Sequence, residues 1–138
     1  MTDAPATHAA PPHDRLYALR SRLALPLICA PMFLVSGPDL VIAACRNGVI
    51  GSFPAPNARP LEVLDAWLGR IAGELGAATA ADPTARIAPW SLNLVVHSSY
   101  DRLPSELELV RRHRPPIVIT ALGSPARVID TVHAYGGL

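Results

Sequence analysis

Four short apolar runs, each followed by a stretch with helical spacing, constrain this chain more than any other feature of its sequence. The runs are residues 25–30, 49–53, 91–96 and 117–121. They are apolar almost throughout rather than alternating with polar residues, which is the pattern of strands covered on both faces. Short strands joined by helices run parallel, because a parallel neighbour needs a long crossover. The expected fold class is therefore α/β, with four parallel β/α units. Right-handed crossovers leave two layouts, a doubly wound open sheet or a barrel. Composition does not choose between them.

Helix signals sit where this rhythm needs them. Ser36-Gly37-Pro38-Asp39 opens the first helix, with proline in the first turn and aspartate at the positive end of the dipole. Asn47-Gly48 closes it with a residue pair suited to a left-handed cap. The second helix is expected to start near Pro60, to bury Leu61, Leu64, Leu68, Ile71 and Leu75, and to end at Gly76. Residues 77–89 then read as a surface connection. The third helix covers residues 104–113, stopped by Pro115-Pro116, and the fourth opens at Ser124-Pro125 and closes at Gly136-Gly137. Leu138 follows a glycine pair that would lead into a fifth strand, so the sequence reads as truncated, with two strand edges left to pair.

At 138 residues, half of them apolar and 17% charged, the chain has enough for one domain with a buried core. Residues 1–22 read as a flexible leader. A net charge of +1 draws the chain neither to nucleic acid nor to an anionic membrane. No apolar run reaches the roughly 20 residues of a spanning helix. Cys29 and Cys45, with no signal peptide and no ligand spacing around them, read as reduced thiols of a cytoplasmic protein. The basic run from Arg111 to Arg114 reads as cations complementing a helix end.

Ligands of parallel α/β folds sit at the carboxyl ends of the strands. There, Ala30-Pro31-Met32 offers a stiff backbone and a polarisable side chain to a flat ring. Asn93 is an amide in an apolar strand, which costs about 1–3 kcal/mol unless it is hydrogen-bonded. It is either a satisfied structural amide or a ligand contact. Thr120 and Gly123-Ser124 could offer a hydroxyl and amides, or simply complete a strand and cap a helix. His97 lies in a polar loop where a solvated histidine is ordinary, and Gly51 allows close backbone approach. No G-x-G-x-x-G follows the first run, and neither a Walker loop nor a G-x-S-x-G elbow is present.

In order and spacing, four segments resemble the nitronate monooxygenase family of FMN-dependent (β/α)8 barrels. They are Pro26-Leu27-Ile28-Cys29-Ala30-Pro31-Met32, Asn47-Gly48-Val49-Ile50-Gly51-Ser52-Phe53, Trp90-Ser91-Leu92-Asn93-Leu94-Val95-Val96-His97, and Pro116-Ile117-Val118-Ile119-Thr120-Ala121-Leu122-Gly123. The resemblance implies that residues 23–138 form the amino-terminal half of a TIM barrel. It implies that Ala30, Pro31, Met32 and Asn93 contact FMN, with Thr120 a further candidate, and that the substrates are an alkyl nitronate and O2. The family's catalytic histidine and phosphate-binding glycines match no residue here, so this stretch alone is expected to be inactive. Flavin barrels of the enoyl-ACP reductase type share the opening motif and keep the substrate open. A non-catalytic half barrel that associates through its strand edges is the rival from another class.

Overall fold

Leu64, Leu68, Ile71 and Leu75 recur at three- and four-residue spacing and are all buried along one side of a single helix. That helix belongs to a computed structural model that describes residues 12–138, in which four strands alternate with helices. The strands are β1 (Ile28–Cys29), β2 (Ile50–Pro54), β3 (Ser91–Val95) and β4 (Ile117–Ala121). The helices are α1 (Pro12–Ser21), α2 (Pro38–Arg46), α3 (Leu61–Ala81), α4 (Leu103–His113) and α5 (Ile129–Ala134). Short 3-10 turns, Ala55–Asn57 and Pro125–Arg127, follow β2 and precede α5.

The strands lie side by side in sequence order, β1-β2-β3-β4, every pair parallel. A doubly wound sheet reverses its strand order at one point, and these four strands contain no such reversal. Val41, Ile42 and Cys45 of α2, the apolar stripe of α3, Leu109 and Val110 of α4 and Val132 of α5 pack in one cluster with Phe53, Leu92 and Leu94. One face of the sheet therefore carries the helices. By strand alternation Ser52, Pro54, Ser91 and Asn93 belong to the other face, and all four are buried. Gly51 is where α2 comes closest. A Cβ added there would lie 2.7 Å from the Val41 Cα, so this glycine serves helix packing and not the mouth of the sheet.

Several boundaries differ from the sequence expectation, each for a local reason. Only Ile28–Cys29 of the first run is paired in strand geometry, because the Leu27 amide turns back to the Leu25 carbonyl at 2.8 Å and Pro26 has no amide to offer. The second helix does not stop at Gly76. It continues to Ala81 through alanines, with Thr79 Oγ1 bonding the Leu75 carbonyl at 2.9 Å, so the surface connection shrinks to residues 82–86, and Ile87, Ala88 and Pro89 are buried. The fourth helix starts as a 3-10 turn, with Ser124 Oγ accepting the Ala126 amide before α5 begins. Most of the leader's described part is helical: α1 spans Pro12–Ser21, and Arg15 donates to the Gly137 carbonyl at 3.2 Å. The rest of that leader lies outside the described residues. At the far edge, the Leu138 amide bonds the Pro116 carbonyl at 3.0 Å and its carbonyl accepts the Val118 amide at 2.8 Å. That is the rung pattern of a parallel neighbour beside β4.

No helix among the described residues is long and apolar enough to cross a membrane.

Candidate functional site

The loop leaving β1 holds Ala30, Pro31 and Met32. Ala30 is exposed, Pro31 half-buried and Met32 40% exposed, with Phe33, Leu34 and Val35 exposed at the tip. An apolar tip of this kind would collapse without polar anchors, and the loop has them. Ser36 Oγ accepts the Met32 amide at 2.9 Å, and the Met32 carbonyl accepts the Ser36 amide at 3.0 Å. Asn57, in the turn after β2, supplies the rest. Its Nδ2 donates to the Met32 and Ser36 carbonyls at 3.0 and 2.8 Å, and its Oδ1 accepts the Leu34 amide at 2.9 Å. Leu34 sits at φ 62°, a left-handed conformation that a branched residue adopts only when its surroundings hold it there.

Asn93 is the polar residue of β3 nearest this loop. Its Nδ2 donates to the Ile119 carbonyl of the neighbouring strand at 3.2 Å, which satisfies part of the desolvation cost of a buried amide. Asn93 pairs with Pro54 at the carboxyl end of β2, and the Met32 loop leaves the carboxyl end of β1, whose last residue, Cys29, pairs with Gly51. Ser52, between them and deeper, donates its hydroxyl to the Cys29 carbonyl.

Thr120 is not brought to this group. It pairs with Leu94, a core residue of the helix-bearing face, and lines a cavity with Val118, Val128 and Val132. His97 is exposed and occupied within its own turn, its Nδ1 accepting the Ser99 amide at 3.2 Å and meeting Ser99 Oγ at 2.7 Å. Cys45 is a poor nucleophile, since burial pushes its thiol up to about 11. No group of three or more His, Cys, Asp and Glu side chains among the described residues is placed to hold a metal.

The rim behind the loop is braced by a buried acid that sequence reading passed over. Glu106 of α4 is fully buried, accepts the Tyr100 hydroxyl at 2.7 Å and lies 3.4 Å from the Arg102 guanidinium. Arg102 in turn donates to the Ala58 carbonyl at 3.0 Å, next to Asn57. Burial holds the Glu106 carboxyl above its ordinary value, against the Tyr100 hydrogen bond and the Arg102 charge. The i,i+4 spacing of Arg102 and Glu106 was visible in the sequence, but nothing there distinguished a buried pair from a surface one. Asn57 carried a fainter signal, an amide closing a proline-rich turn.

Compared with known proteins, the chain matches no protein-family model and no curated sequence.

Proposed function

We propose that this chain supplies the first four units of an FMN-dependent (β/α)8 barrel of the nitronate monooxygenase type, which oxidises alkyl nitronates with O2. The observation that carries the reading is a sheet whose parallel strands follow sequence order, with the Met32 loop leaving the carboxyl end of β1 and Asn93 in β3 paired with the last residue of β2. Sequential order suits a barrel wall, in which ligands bind at the carboxyl ends of the strands. The rung that Leu138 makes with Pro116 and Val118 extends the wall in the same direction.

The residues present fit the flat ring of the cofactor and not its phosphate. Met32, Pro54 and Ile119 give apolar surface, and Asn93 gives an amide able to donate and accept. No glycine-rich turn follows any of the four strands to receive a phosphate. Bound FMN would carry electrons from nitronate to O2. The part of these residues is to hold the ring, orient it and keep water from the face it rests on. Thr120, on the opposite face, stays with the packing of α5 in this reading.

The test is to express the full reading frame of the gene and measure bound flavin and nitronate-dependent O2 consumption. Retained FMN and a flavin spectrum altered by Asn93→Ala support the reading. A colourless product, or a spectrum and rate indifferent to Asn93→Ala, overturns it. The 138-residue chain by itself is expected to bind FMN weakly in a fluorescence titration, because it lacks the phosphate grip.

One observation favours a second reading, a half barrel that pairs with its own copy. Leu25, Leu27 and Ile28 at the β1 edge are each more than half exposed, an apolar edge of the kind proteins usually cover. A colourless, cooperatively folded dimer in sedimentation equilibrium would select it.

A further inference from the structure

The amino ends of the strands, opposite the Met32 rim, hold a cavity of about 290 Å³ lined by Arg15, Arg22 and Arg114. Among the described residues its remaining wall includes Leu19, Pro89, Pro116, Tyr135 and Leu138, and no Asp or Glu side chain lines it. Burial raises the pKa of Tyr135, whose hydroxyl donates to the Pro115 carbonyl at 2.9 Å, so it stays an uncharged wall. Three cations around one hollow repel each other unless something negative sits between them.

The cations are only partly engaged by the protein. Arg15 donates to Gly137, and its Nε is buried without a hydrogen-bond partner among the described residues. Arg22 donates to the Ile87 carbonyl at 3.3 Å. Arg114 is the most telling. Its neighbours in the basic run are paired outward, Arg111 with Glu108 and both Arg112 and His113 with Asp65. Arg114 has no ion pair among the described residues, and it caps α4 at φ 48°, a left-handed position that favours glycine. Arginine is thus kept at a backbone position that glycine would ease, and it lines this cavity.

We infer that this cavity binds the phosphoryl group of a small phosphomonoester, with Arg15, Arg22 and Arg114 as its ligands. The three guanidiniums come from α1, the connection after it and the end of α4. They suit a group with three terminal oxygens better than a planar carboxylate, which one arginine fork satisfies. The apolar wall would accept a compact organic substituent. The site lies at the other end of the sheet from the proposed flavin contacts and does not depend on them.

The test uses the 138-residue chain and three variants, titrated calorimetrically with phenyl phosphate, inorganic phosphate and benzoate at fixed ionic strength. Phenyl phosphate is expected to bind more tightly than inorganic phosphate, and benzoate much more weakly than either. Arg114→Gly is the decisive variant, because glycine relieves the left-handed strain and leaves the fold at least as stable. It is expected to weaken phenyl phosphate at least about tenfold, the equivalent of one charge-assisted hydrogen bond. Arg22→Gln is expected to act alike, while Arg111→Gln, whose partner is Glu108, leaves affinity unchanged. Equal binding by Arg114→Gly, equal binding of benzoate, or no binding of phenyl phosphate would each overturn the inference.

Discussion

Asn57 and Met32 stand 25 residues apart in sequence and are joined by a 3.0 Å hydrogen bond from the Asn57 side-chain amide to the Met32 carbonyl. The loop after β1 is thus held from the turn after β2. Since β1 itself pairs over two residues only, the orientation of Met32 is set mainly by its neighbouring unit. Asn57→Ala removes this bond and those to Ser36 and Leu34. It is expected to cost about 1–3 kcal/mol and to speed hydrogen exchange at the Leu34 amide. Unchanged protection there would mean that the loop holds its shape unaided.

Gly51 and Gly73 should respond oppositely to alanine. At Gly51 the new methyl meets the α2 backbone at Val41, and helix and strand would have to separate. The loss is expected at the upper end of the overpacking range, about 3 kcal/mol or more. At Gly73, inside α3, nothing lies within 4 Å of an added Cβ, so alanine is expected to add about 0.5–1 kcal/mol from helix propensity. Urea midpoints of the two variants test both values.

Glu106 predicts a loss of stability on the alkaline side. The folded chain holds the carboxyl proton more tightly than the unfolded chain, whose value is near 4.5. The cost of folding is therefore absent below that value and grows as pH rises above it. Glu106→Gln keeps an acceptor for Tyr100 and is expected to remove the slope, so the two stability profiles diverge toward neutrality. Parallel profiles would show that the group titrates alike in both states. Tyr100→Phe, which strips a donor from the buried oxygen, is expected to cost about 1–3 kcal/mol.

Asp65 works in the other direction. The His113 ring at 2.5 Å, and after it Arg112 at 2.9 Å, hold its carboxyl below the ordinary 3.8. Its contribution is complete above that value and is lost as pH falls through the lower, folded value. Asp65→Asn is expected to lower the thermal midpoint at neutral pH and to flatten the acid limb of the profile. An acid limb as steep as in the parent would assign it to other carboxylates.

What the sequence made legible was burial. The five buried residues of β2 and Leu64, Leu68, Ile71 and Leu75 of α3 follow from apolar patterning, because removing such side chains from water depends little on which neighbour does it, whereas β4 and Leu61 are only half-buried. Handedness of detail was not legible. Asn93 and Thr120 both sit near the ends of strands, yet they lie on opposite faces, and a one-residue change of register would have reversed that. The Asn57 clasp was hidden for another reason: its partners are main-chain groups of a different unit, which carry no side-chain signature. Arg102 and Glu106 were visible as a pair, but only the approach of Ala58 and Tyr100 makes them interior.

The helix at the start of the described chain touches the end of it. Arg15 reaches Gly137 across 122 positions of sequence, so on the ribosome α1 emerges long before its anchor exists. It must wait, exposed, while every intervening unit is synthesised, and closing so wide a loop comes late for the same entropic reason. Helix α1 is therefore seated late, and its docking reports that the unit carrying Gly137 has been made.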